Sequence, residues 1–112
     1  MTVYVDDFRA PYGRMRMCHL LADTDQELHA MVDTIGVDRR HHQNGMSGSH
    51  YDIASSKRLL AIAAGAVPIT VRQAAMMAKN RRLTGTLGPP DPYYGPDYDP
   101  SIPREEASHV RR

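Results

Sequence analysis

The chain has one cysteine, one phenylalanine and no tryptophan in 112 residues. A single cysteine, Cys18, rules out an intrachain disulfide and a zinc site made wholly of thiolates. With so few large aromatic rings and seven methionines, the core is expected to be adaptable rather than tightly specified. No apolar run is long enough to span a bilayer, and no charged start leads into a short apolar stretch as in a secretory leader. The expectation is a reduced, cytoplasmic protein. Excess charge of one sign is also missing: 14 basic residues face 13 acidic ones. From Gly88 onward, however, five acids outnumber three bases, so the remainder is mildly basic and permits a phosphate-bearing partner without requiring one.

The length suggests one small domain, which buries a modest fraction of its surface, so a homo-oligomer or a partner would help it. The expected domain covers residues 1–87, followed by a tail over 88–112. Pro89, Pro90, Pro92, Pro96, Pro100 and Pro103, set among Tyr93, Tyr94 and Tyr98, predict an extended, polyproline-like segment. Residues 88–103 are a candidate contact to another subunit or a protein partner, because tyrosine offers apolar area with a polar tip.

Hydrophobic period orders the domain. Thr2 to Asp6 alternates as a strand, and Arg14 to Ala22 reads as a second strand with Met15, Met17, His19 and Leu21 on one face. A short hairpin between them would put Asp6 and Asp7 beside Arg14. Thr24 and Glu27 form a capping box before Leu28, Met31, Val32 and Ile35, and Gly36 ends that helix. Val37 to Gln43 suits a short third strand, and Asn44 to Ser49 a loop. Asp52 or Ser55 would cap a second helix running to Gly65. Val67-Pro68-Ile69 reads as an edge strand, and Thr70 and Gln73 box a third helix whose apolar stripe is Val71, Ala74, Ala75 and Ala78. The order β-β-α-β-α-β-α predicts an α/β domain, a small mixed β-sheet with about three helices.

The densest chemistry lies in His50-Tyr51-Asp52-Ile53-Ala54-Ser55-Ser56-Lys57-Arg58. A helix N-terminus presents free amides and partial positive charge, so an anion binds there readily. The expected ligand-binding set is Arg14, His50, Tyr51, Asp52, Ser55, Ser56, Lys57 and Arg58, acting on a nucleotide or nucleic acid, with Asp52 as cap. The bland alternative is that Asp52 only caps, Tyr51 packs, and Lys57 and Arg58 form a solvated helix face. An alternative site is acidic: Asp6, Asp7 and Asp23, with His19, His50 and Asp52, would hold a divalent metal such as Mg or Mn for phosphoester cleavage. Against it, Asp6 and Asp7 would simply pair with Arg14 or Arg9. His41 and His42, adjacent on a strand, would point to opposite faces. His19 and His29 read as hydrogen-bonded or packing residues, and Cys18 points away from His19, which disfavours a Cys–His nucleophile.

Several strings together carry a resemblance: Val3-Tyr4-Val5-Asp6-Asp7, Arg14 through Asp23, Glu27-Leu28-His29, His50-Tyr51-Asp52-Ile53, Ser56-Lys57-Arg58, and then Ala61 and Gly65-Ala66. From about residue 3 to residue 70 the chain resembles DUF4031, a small family of bacterial and phage proteins. The family pattern often looks like Arg-x-Trp-Phe-Gln where this chain has Arg40-His41-His42-Gln43, so two imidazoles replace an aromatic pair. The resemblance implies a fold and a family and brings no activity with it.

Overall fold

A computed structural model describes residues 2–96 and residue 101. The elements are β1 (Val3–Val5), β2 (Ala10–Tyr12), β3 (Met15–Ala22), α1 (Asp25–Ile35), β4 (Gln43–Gly45), β5 (Gly48–Ala54), α2 (Ser55–Ala63), β6 (Val67–Pro68) and α3 (Val71–Thr84). They form a mixed α/β fold around a six-stranded sheet ordered β4-β5-β3-β1-β6, with β2 also paired to β3. All pairings are antiparallel except β1 with β6.

The helices start and stop where local chemistry dictates. Thr24 Oγ1 accepts the Glu27 amide, and Gly36 closes α1 at φ +78°. Thr70 and Gln73 exchange both bonds of a capping box at the start of α3. Leu28, Met31, Val32 and Ile35 of α1 are buried as their spacing requires. On α3 the buried set is Gln73, Ala74 and Met77, so the stripe is rotated from the expected Val71, Ala74, Ala75 and Ala78, and Ala75 is exposed.

Strand alternation divides the core in two. One sheet face carries Val5, Cys18, Leu20, Tyr51 and Ile53 against α1 and Ala61 of α2. The other carries Tyr4 and Leu21 against Ala74 and Met77 of α3, with Ile69 and Leu87. Burial pushes the Cys18 thiol pKa up, which suits packing and not nucleophilic attack.

Four expectations are corrected. The hairpin does not bring Arg14 to Asp6: β1 pairs with the far half of β3, and β2 pairs with the near half. Asp6 therefore lies opposite His19, whose carbonyl accepts the Asp6 amide, and Arg14 sits in the β2–β3 turn. Residues 39–41 form a 3-10 turn rather than a strand, and Gln43–Gly45 and Gly48–Ala54 form a hairpin where a loop was expected. Neither Asp52 nor Ser55 caps α2: the capping position is Ala54, without a side-chain bond, because β5 runs straight into the helix.

Between residues 88 and 94 the chain lies on α3. Gln73 Nε2 donates to the Asp91 carbonyl, Thr70 Oγ1 to the Tyr94 carbonyl, and the Arg72 guanidinium stands over the Tyr94 ring. Pro92–Tyr94 is a 3-10 turn, not extended chain. The expectations for Tyr98, Pro100 and Pro103 lie outside the described residues. Among the described residues no helix is long and apolar enough to cross a membrane.

Candidate functional site

The second sheet face is only partly covered by α3, and chemistry collects where the cover thins. On β3, His19 shares the face of Leu21; on β5, His50 and Asp52 point the same way, two residues apart. The register sets Asp52 opposite His19. Ala74 and Ala78 of α3 are small, and a cavity of about 130 Å³ remains between them and His19, Leu21, His50 and Arg81.

His19 is held on three sides. Its Nδ1 lies 2.6 Å from Asp6 Oδ2, the Phe8 ring stacks on it at 5.2 Å and 2°, and the His50 ring meets it edge-on at 5.7 Å. Asp6 is fully buried, and its Oδ1 also accepts the amides of Phe8 (3.1 Å) and His19 (2.8 Å). Because a carboxylate only accepts, Nδ1 of His19 carries the proton and Nε2 is left on the side of Asp52. The hydrogen bond that His19 donates to Asp6 raises the His19 pKa above the ordinary imidazole value, against burial, which lowers it.

His50 is oriented the same way by a different acceptor. Its Nδ1 donates to the Gly48 carbonyl at 2.9 Å, leaving Nε2 toward Asp52. Asp52 Oδ2 accepts Gln43 Nε2 at 2.8 Å. Its Oδ1 is buried, 3.5 Å from His50 Nε2 and 3.8 Å from His19 Nε2, and has no hydrogen-bond partner among the described residues. A buried carboxylate oxygen facing two imidazole nitrogens is an incomplete polar cluster. Arg81 completes the surroundings. Its Nη2 donates to the Ser49 carbonyl at 3.0 Å, and it has no carboxylate at ion-pair distance among the described residues. The guanidinium packs so closely over Gly48, at φ +82°, that a Cβ there would come 2.5 Å from Nη2.

Of the residues singled out in the sequence, the structure brings together His50 and Asp52. Tyr51 points to the opposite face, where it is fully buried and its hydroxyl bonds His29 Nδ1 at 2.7 Å. His42 packs on both and bonds Ser49, while His41 is exposed in the 3-10 turn. Ser55 Oγ donates to the Arg16 carbonyl, and Ser56 is exposed. Lys57 Nζ donates to the Ile35 carbonyl at the end of α1, and Arg58 Nε to the Asp6 carbonyl, so both cations are spent on main-chain oxygens. Arg14 sits in the β2–β3 turn and does not line the cavity.

The acidic set does not converge either. Asp23 accepts the Thr2 amide at the far end of β1 from Asp6, and Asp7 accepts the Val71 amide at the start of α3. Among the described residues no group of three His, Cys, Asp or Glu side chains is arranged to hold a metal ion. Sequence reasoning missed the parts played by Asp6, Phe8, Gln43 and Arg81. Arg81 follows Ala74 and Ala78 at helical spacing, which was the available signal for its face.

The Asp6–His19 pair makes stability pH-dependent. A folded pKa raised above the unfolded one gives stabilisation that is complete below the unfolded value, 6.5, and is lost as pH rises through the folded value. Wild type is therefore expected to exceed His19→Gln most at about pH 6, with the gap narrowing toward about pH 9. Urea unfolding of both proteins across that range checks this; a constant gap would contradict it.

A search of the curated proteins and of the solved structures returns no match to this chain. A family model described as a protein of unknown function, DUF4031, matches residues 3–81, from the start of β1 to Arg81, and the chain belongs to that family.

Proposed function

We propose that this domain binds a phosphate-bearing ligand in the cavity under α3 and that His19 and His50 exchange protons with it, in the manner of a phosphoester hydrolase. The observation that carries the reading is that His19, His50 and the Arg81 guanidinium line one small cavity, each imidazole with its Nδ1 already engaged. Arg81 supports it as a part-buried guanidinium with no carboxylate paired to it among the described residues; a guanidinium matches phosphate geometry. This moves the expected anion site from the start of α2, where Lys57 and Arg58 are engaged with carbonyls, to the other face of β5.

The chemistry follows from the tautomers. His50 keeps a lone pair on Nε2 and takes a proton from an attacking water, whose oxygen bonds to phosphorus. His19, favoured in its charged form by Asp6, donates its Nε2 proton to the ester oxygen as the phosphorus–oxygen bond breaks. Asp52 Oδ1, 3.5 Å from His50 Nε2 and 3.8 Å from His19 Nε2, places negative charge beside both rings.

The test uses inorganic phosphate by calorimetry and phenyl phosphate hydrolysis in the presence of a chelator. Arg81→Gln is expected to weaken phosphate binding about tenfold, and His19→Gln or His50→Gln to slow hydrolysis about 10²-fold or more. No phosphate binding at millimolar concentration, binding unchanged in Arg81→Gln, or turnover that requires a divalent ion would overturn the reading.

A further inference from the structure

A second, larger concavity adjoins the cluster. It has a volume of about 540 Å³ and is lined by Tyr12, Met15, Met17, His41, Gln43 and Asp52. That volume is within the range of small-molecule sites, roughly 300–1,000 Å³. Asp52 links the groove to the imidazole pair: the residue lines the groove, its Oδ2 is held by Gln43, and its Oδ1 lies 3.5 Å from His50 Nε2.

Three features describe what fits. Tyr12 and Met15 are 68% and 47% exposed, so a ring and a thioether stand in solvent at the groove wall. Flat aromatic ligands pack on such side chains. The outer edge of β5 has β4 beside it only from Gly48 to His50, so no strand covers Asp52, Ile53 and Ala54 on that side among the described residues. Along such an edge, alternate residues present an amide and a carbonyl outward, which complements the donor and acceptor edge of a nucleobase.

Distance sets the third feature. Met17 lines the groove and His19 lines the cavity, on the same face of β3, two residues and so roughly 7 Å apart. One sugar bridges that interval. The cavity under α3 is small, about 130 Å³, which suits a single phosphate group and not a continuing polymer.

We propose that the groove seats the base of a nucleoside monophosphate whose phosphate enters the cavity beside Arg81. The proposal rests on the phosphate reading above and names the ligand class for it. Base stacking contributes about tenfold or more in affinity.

Calorimetry on the full chain with inorganic phosphate, ribose 5-phosphate, adenosine 5′-monophosphate and uridine 5′-monophosphate tests it. At least one nucleotide is expected to bind about tenfold more tightly than ribose 5-phosphate. The double variant Tyr12→Ala/Met15→Ala changes exposed residues of the β2–β3 hairpin; it is expected to remove that increment and leave ribose 5-phosphate unaffected. Equal affinity for ribose 5-phosphate and both nucleotides, or an increment that survives in the double variant, overturns the base site while phosphate binding stands. A single-stranded oligonucleotide that binds more tightly than either mononucleotide also overturns it, because a polymer would then be the ligand. Failure of inorganic phosphate and ribose 5-phosphate to bind at all overturns the underlying phosphate reading as well, and is read in its own arm.

Discussion

Replacing Asp6 with alanine is expected to destabilise the fold by about 3–5 kcal/mol, the usual cost of removing one partner of a buried, hydrogen-bonded charge pair. Asp6 is fully buried and serves three donors: the amides of Phe8 and His19 and the His19 ring. Alanine leaves all three without an acceptor, and each lost partner adds its own desolvation cost. The carbonyl of the same residue holds Arg58, so a backbone shift at residue 6 would also release the first turns of α2. A small domain has only about 5–15 kcal/mol in total, so the variant should be close to unfolding at physiological temperature. Asp6→Asn is the milder control. Its single amide oxygen serves one or two of the donors while its NH₂ group opposes the rest, and a loss of about 2 kcal/mol is expected. It should also reduce the pH dependence assigned to His19, leaving the smaller part due to Asp52. Urea unfolding with an unchanged m-value would report both numbers. A loss below about 1 kcal/mol in Asp6→Ala would mean that the buried network is not what holds β1, β3 and α2 in register.

What the sequence revealed of the fold was local. Capping boxes at Thr24 and Thr70, the left-handed Gly36, the four-residue spacing of α1 and the alternation of β3 all depend on neighbours within a few positions. The failures came where a distant strand outweighed a local signal. Asp52 and Ser55 have the side chains of helix caps, yet residues 51–54 pair with Met17 to Leu20 and remain a strand to the edge of the helix. Residues 44–49 have loop composition, but Gly48 at φ +82° lets them turn a hairpin. Asp6 met His19 and not Arg14 because an extra strand, β2, took the near half of β3.

The candidate site was half legible for the same reason. Period two alone puts His50 and Asp52 on one face. Which residue faces them depends on the β3–β5 register, and no local property of the chain encodes the pairing of residue 19 with residue 52. Lys57 and Arg58 follow the motif directly, and a cation near a helix start reads as an anion contact, but both reach carbonyls at the ends of other elements. The guanidinium that does line the cavity, Arg81, comes from the last turn of α3, more than twenty residues downstream.

Tyr51 separates the two halves of the motif, and its substitution should show it. The residue is fully buried between α1 and the sheet and is the largest of the fully buried side chains. Tyr51→Ala empties that volume and is expected to cost about 3–5 kcal/mol, as for other large aromatic deletions from a core. Tyr51→Phe keeps the ring and removes only the hydroxyl paired with His29 Nδ1. Burial pushes the phenol pKa up, so the hydroxyl stays protonated over the working range and its loss is that of a neutral hydrogen bond, about 1–2 kcal/mol. The two values should therefore differ by more than the hydrogen bond is worth, which assigns most of the contribution to packing. Phosphate binding gives the second readout. His50 and Asp52 lie on the opposite face of β5, so Tyr51→Phe should bind inorganic phosphate as wild type does, while Arg81→Gln does not. Phosphate binding lost in Tyr51→Phe, with the fold intact by circular dichroism, would place the ligand on the α1 side of the sheet and remove the cavity under α3 from consideration.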